Sequence, residues 1–142
     1  LAPINAEHAG VAHDALRAAR FSEIPAVFEL VVTHPPFMID SKRRAYRHGG
    51  GLYGAQLSLD WCVAGAARLA PGGRLIMHTG VAGVGGQDVL RAAVRQYFPR
   101  DGLSIEYREL DTDIFGDELD KPGYDEVDRI AAVGVIIERA AA

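Results

Sequence analysis

Seven consecutive residues, Val31-Val32-Thr33-His34-Pro35-Pro36-Phe37, gather side-chain types suited to chemistry. The run Phe28–Thr33 has β-type composition and ends in a polar residue, two prolines and an aromatic ring. Ligands of open α/β sheets bind outside the carboxyl ends of the strands. Two prolines fix the chain at such a point and leave two carbonyls without competing donors of their own. Phe37 can stack on a flat substrate group or pack into the core. Shortly after come Lys42, Arg43, Arg44 and Arg47, with His48 beside them. This basic loop can meet an anionic substrate or be a solvated charge run. Within it, Tyr46 could stack on a base.

Other residue groups carry weaker signals. Gly80-Val81-Ala82-Gly83-Val84-Gly85-Gly86 follows a strand pattern and opens a helix pattern, the setting of a phosphate-binding turn. It does not match G-x-G-x-x-G, so a dinucleotide-binding domain ranks third among the functional readings. Asp111 and Asp113 have a spacing seen in calcium loops without the rest of that pattern. His8, His13, His48 and His78 share no metal-ligand spacing, and no metal is expected. Cys62, the single cysteine, and Trp61 fall on a helix pattern as core or near-core residues.

The elements that position these residues alternate. Residues 1–20 are Ala-rich and predict a helix, with Gly10 as a stop. After the strand Phe28–Thr33, residues 38–51 read as a loop. Leu52, Ala55, Leu59, Val63, Ala66 and Leu69 keep helical spacing, and Pro71-Gly72-Gly73 ends that helix. Arg74 to Thr79 predicts a strand, Gly80 to Gly86 a turn, and Gln87 to Phe98 a helix burying Leu90, Val94 and Tyr97. Leu103, Ile105 and Tyr107 alternate with polar residues, as in a strand with one wet face. Arg129 to Glu138 is apolar through its middle, which suits a strand covered on both faces. The order implies an α/β fold with a parallel sheet, its last two strands antiparallel.

The chain has 142 residues, ordinary for one domain, and is 49% hydrophobic and 24% charged, enough for a globular core. Its net charge of −4 is unevenly spread. From Glu109 to Asp128 there are nine acidic residues and one lysine, which predicts a solvated acidic loop and leaves +4 elsewhere. The overall charge argues against a general nucleic-acid binder. One cysteine excludes an intramolecular disulfide framework and suits a reducing, cytoplasmic setting. No signal peptide is visible, and no apolar run approaches the length of a membrane span.

FELVVTHPPF resembles the (N/D)PP(Y/F) motif of class I S-adenosylmethionine-dependent methyltransferases that modify amino nitrogens. GGGLYGAQLSLDWCVAGAARLAPGGRLIMHTG is similar to the helix, Pro-Gly-Gly turn and next strand of that family. FGDELDKPGYDEVDRIAAVGVII resembles its closing hairpin, and NAEHAGV the helix after its ribose-binding strand. The resemblance implies a Rossmann-like sheet, mostly parallel with a C-terminal antiparallel hairpin, in one domain over 1–142 that lacks its first strands. It implies S-adenosylmethionine as cofactor and methyl transfer to an amino or amide nitrogen of RNA or protein.

By the same resemblance, His34, Pro35, Pro36 and Phe37 are catalytic and Thr33 lies at the cofactor. Asp14 matches an acidic residue near the adenine amino group, or is a helix-surface aspartate. Arg44, Tyr46, Arg47 and His48 face substrate. His34 stands where the family has Asn, whose amide oxygen accepts from the target amine; neutral imidazole offers one acceptor nitrogen instead. The family's N-terminal Gly-rich cofactor loop has no counterpart here. A non-catalytic association module of the same ancestry is the second functional reading. Without the first strands, the Phe28–Thr33 strand has a free hydrophobic edge, to be covered by a homo-oligomer, a partner chain or the rearranged N-terminus.

Overall fold

The computed structural model describes residues 2–18, 21–24, 26–100 and 102–142. Helix α1, Ala2–Ala9, ends at Gly10, whose φ of +66° stops the helix. Residues 11–18 are irregular and exposed, so the expected helix over 1–20 is shorter, and residues 19 and 20 lie outside the described residues. Strand β1 spans Phe28–Thr33, helix α2 Gln56–Ala66 and strand β2 Leu69–Val84. Strand β3, Gln87–Asp88, leads into helix α3, Val89–Val94; strands β4, Leu103–Asp111, and β5, Val127–Arg139, complete the chain.

The sheet order is β1-β2-β5-β4, with β3 paired to the end of β2. Strand β1 is parallel to β2, while β5 runs antiparallel to both β2 and β4. Thus β1, β2 and β4 point one way and their carboxyl ends share one end of the sheet. The expected antiparallel pairing of the last two strands is present.

Four boundaries differ from expectation. Helix α2 starts only at Gln56 because Leu52 and Tyr53 have φ of +50° and +52°, which helical backbone excludes. Pro71-Gly72-Gly73 does not stop a helix; it lies inside β2. Phe28 pairs with Leu69 and Leu30 with Arg74, so the extra residues form a bulge there, with Gly72 at φ +75°. Gly80 to Val84 is strand rather than turn, because each residue pairs with β5, and only Gly85-Gly86 turns the chain back into β3. Helix α3 is shorter than the expected 87–98, and Tyr97 is 37% exposed rather than buried.

One face of the sheet carries α2 and α3. Leu59, Cys62, Ala66, Leu90 and Val94 pack there against Val31, Leu75, Met77, Val133, Val135 and Ile137. A buried hydrogen bond of 2.8 Å between the Ser58 and Thr79 hydroxyls satisfies both groups inside this core. The other face is covered only near the carboxyl end, where Met38, Ala82, Tyr124, Val127 and Ile130 cluster. Beyond it Ile76, Gly134 and Ile136 line an open cleft with Glu106, Arg108 and Leu110. Strand β5 is therefore covered on both faces over half its length only, because the loops that close the second face stop short.

The outer edge of β1 pairs with no strand among the described residues, and Leu30 and Val32 are 55% and 71% exposed. The described N-terminus does not cover this edge, against one of the expectations: α1 has no buried residue and 11–18 are exposed. Among the described residues, no helix is long and apolar enough to cross a membrane. Leu75 is fully buried at the centre of the sheet beneath α2. Leu75→Ala should lower unfolding free energy by about 2–5 kcal/mol, read as a shifted urea midpoint; an unchanged midpoint would contradict this packing.

Candidate functional site

At the end of β1 the side chains alternate, Val31 and Thr33 inward, Val32 and His34 outward. Pro35 is fully buried and carries the chain out of the sheet, and neither proline has an N–H to leave unpaired. The chain then runs against the Gly49–Gly54 loop. The Gly49 amide donates to the Met38 oxygen at 2.9 Å, and the Met38 amide to the Arg47 oxygen at 3.1 Å. A Cβ on Gly49 would stand 2.7 Å from the Pro36 oxygen, and one on Gly54 2.2 Å from the Phe37 oxygen. Glycines are needed because two stretches of backbone meet there. The Pro36 and Phe37 carbonyls consequently face this loop instead of lying open to a ligand.

The Phe37 ring lies on Gly80 of β2, where a Cβ would come within 2.2 Å of the ring. It is half-buried, packed against the second cluster on one side and open on the other. Its edge meets His34 at 5.8 Å between ring centres, and Phe115 tilts against it at 5.9 Å. Phe115, 42% exposed, was not found from the sequence because it lies in the acidic run. His78, likewise set aside there, stands beside His34. The His34 Nδ1 lies 2.8 Å from the His78 main-chain oxygen and 3.2 Å from the His78 Nδ1. The period-2 pattern of β2 was the available signal, since it puts His78 on the face of Gly80. Val32, Thr33, His34, Ile76 and His78 line a cleft of about 480 Å³. Thr33 is 8% exposed and its Oγ1 is buried without a hydrogen-bond partner.

The basic loop is bound to carboxylates of the chain itself. Asp40, 6% exposed, accepts from the Arg44 amide at 2.8 Å, from its Nε at 3.0 Å and from its Nη2 at 2.5 Å. Arg44 also donates to the Tyr46 hydroxyl at 3.1 Å, and Tyr46 is otherwise exposed. Arg47 donates to Glu118 at 2.5 Å, and Glu118 also pairs with Lys121. The His48 Nδ1 accepts from the Asp40 amide at 3.2 Å. The structure thus gathers Arg44, Tyr46, Arg47 and His48 around Asp40, leaving little unpaired charge on Arg44 and Arg47 for a substrate.

The acidic run is not simply solvated. Tyr124 is buried at 2% exposure and its hydroxyl accepts from the Ile39 amide at 2.7 Å, while Ile114 and Leu119 pack on the second cluster. The Arg44 side-chain and backbone hydrogen bonds hold the Asp40 carboxyl well below the usual range, and Lys121 and Arg47 lower that of Glu118. For a carboxyl lowered by folding, the stabilisation is complete above its ordinary value and is lost as pH falls through the lowered one. Asp40→Asn should therefore unfold at lower denaturant than the wild type at neutral pH, the gap narrowing under acid. A gap independent of pH in denaturation curves would refute this role.

The remaining candidates lie apart. Asp14 is exposed in the irregular segment 11–18, not on a helix. Cys62 is fully buried, its Sγ 3.7 Å from the Met77 Sδ, and burial pushes its thiol up to about 12, as a core residue requires. Asp111 accepts from the Asp113 amide at 3.2 Å, and no cluster that could hold a metal exists among the described residues. The glycine stretch offers no phosphate turn: its first half is strand, and the Asp88 carboxylate accepts from the Arg91 amide at 2.7 Å, placing negative charge at the start of α3.

No family model matches the chain, and no curated protein matches it in sequence. Solved structures match in fold. The crystal structure of a methyltransferase from Pyrococcus furiosus covers 99% of this chain at 14% identity and a TM-score of 0.51. That of an rRNA methylase from Streptococcus thermophilus covers 97% at 12% identity and a TM-score of 0.50. The chain spans 56% and 64% of their respective lengths. The sheet therefore has the Rossmann-like fold of these methyltransferases, corresponding to part of the length of each.

Proposed function

We propose that this chain is part of an S-adenosylmethionine-dependent methyltransferase whose acceptor is an amino or amide nitrogen of RNA or protein. The observation that carries the reading is the His34-Pro35-Pro36-Phe37 turn. It stands at the carboxyl end of β1, with His34, His78 and Thr33 on one cleft, in a fold of methyltransferase type. The name of the rRNA methylase favours RNA among the acceptors. One buried cysteine suits a cytoplasmic setting.

The cofactor would supply an electrophilic methyl group on a sulfonium. The cleft lined by Val32, His34, Ile76 and His78 would take one side of such a ligand. Whatever covers the bare edge of β1 would supply the other wall, and a homo-oligomer or partner chain is the proposed cover. His34 would hold the acceptor nitrogen and the Phe37 ring would flank a flat group carrying it. These residues act chiefly by positioning, since an aligned nucleophile needs little further help. Arg44 and Arg47 would shape the substrate face while remaining tied to Asp40 and Glu118.

The bare β1 edge favours a second reading, an association module without catalysis. Calorimetry with S-adenosylmethionine and transfer of labelled methyl to unmodified RNA separate the two. Binding and transfer are expected, with His34→Ala slowing transfer by roughly 10–100-fold. Transfer at the wild-type rate by His34→Ala would remove His34 from the site. Absence of cofactor binding by the protein would favour the association module.

A further inference from the structure

We infer that His78 is a positioning residue, whose main-chain oxygen and ring nitrogen together hold the His34 proton on Nδ1, so that His34 presents Nε2 as an acceptor. The inference rests on the reading of His34 as the residue that holds the substrate amine. A carbonyl oxygen can only accept, so the 2.8 Å contact between the His34 Nδ1 and the His78 oxygen places a proton on that Nδ1. The same nitrogen lies 3.2 Å from the His78 Nδ1. Two N–H groups facing each other would repel. The attractive arrangement leaves the His78 Nδ1 bare, with its own proton on Nε2.

The ring geometry agrees. The planes differ by 24° with centres 5.1 Å apart, and the 3.2 Å between the two nitrogens takes up most of that distance. The rings are stacked with a lateral offset that brings their two Nδ1 atoms together. A metal ion shared at the two Nδ1 atoms fits poorly, since the His34 Nδ1 already carries a proton.

The consequence lies at the far side of the His34 ring. In a neutral imidazole one nitrogen donates and the other accepts, and the partner of one sets the role of the other. With the proton on Nε2, His34 would point an N–H at an incoming amine and repel its N–H groups. With the proton on Nδ1, Nε2 accepts from the amine, the part that an amide oxygen can play. His34 is exposed, and its Nε2 has no hydrogen-bond partner among the described residues. His78 is itself fixed by the ladder, opposite Gly134 of β5, so the acceptor pair is set by the sheet and not by a loop.

Long-range proton–nitrogen NMR correlation, at a pH where both rings are neutral, reads the tautomer directly and independently of activity. The wild type should show His34 protonated on Nδ1. His78→Leu keeps the main-chain oxygen and removes only the ring acceptor, so it should shift part of the population toward Nε2–H, and His78→Asn, whose Oδ1 falls near the lost nitrogen, should restore it. In methyl transfer, His78→Leu should lower kcat about tenfold or more with KM for the cofactor unchanged, and His78→Asn should recover it. A wild-type His34 protonated on Nε2, or identical populations in His78→Leu, would overturn the inference. A tautomer that moves as stated in a protein that transfers no methyl group upholds the positioning role and sinks the functional reading.

Discussion

Backbone pairing along β2 sets where the other elements can sit. The strand runs from Leu69 to Val84 and pairs with β1, β5 and β3. Its inward residues Leu75, Met77 and Thr79 receive the helices, and its outward residues Ile76, His78 and Gly80 line the cleft and seat the motif ring. The core and the site therefore occupy opposite faces of one strand and share one register. Because side chains alternate, a slip of one residue would exchange the two sets completely.

The parts of this arrangement that local chemistry determines were legible in the sequence. The β-branched run before Pro35 marked β1, the alternation of Leu103, Ile105 and Tyr107 marked β4, and the apolar stretch before Glu138 marked β5. The glycines were harder to read. Gly80 and Gly83 suggested a turn, yet they lie in a strand. Gly80 answers to the Phe37 ring, and a Cβ on Gly83 would crowd the Arg129 side chain at 3.2 Å. Pro71-Gly72-Gly73 looked like a helix stop and is a bulge, since β1 pairs on both sides of it. In each case a partner distant in sequence decided, and local propensity carries no information about such partners.

The same limit governs the charges. Lys42, Arg43, Arg44 and Arg47 read as a basic face because their compensating groups are Asp40, just before the run, and Glu118, some seventy residues further on. Carboxylates tied to the basic side chains in this way order a loop more than they attract a ligand. The loop of 40–48 is thus joined to that of 114–124, with Tyr124 beneath both, and the pair closes one end of an otherwise open sheet face.

The seat of Phe37 on Gly80 couples two levels of structure that are usually separate. Gly80 pairs with Ala132 of β5, two small residues side by side, with His78 and Ala82 flanking Gly80 on the same face. Were β2 to pair two residues out of step, the faces would survive, but the ring would meet an imidazole or a methyl group in place of bare backbone. The gap left by one missing side chain thus acts as a vernier mark. The aromatic ring closes down only when the ladder behind it is in its proper alignment, and a misaligned sheet leaves the His-Pro-Pro-Phe turn unseated.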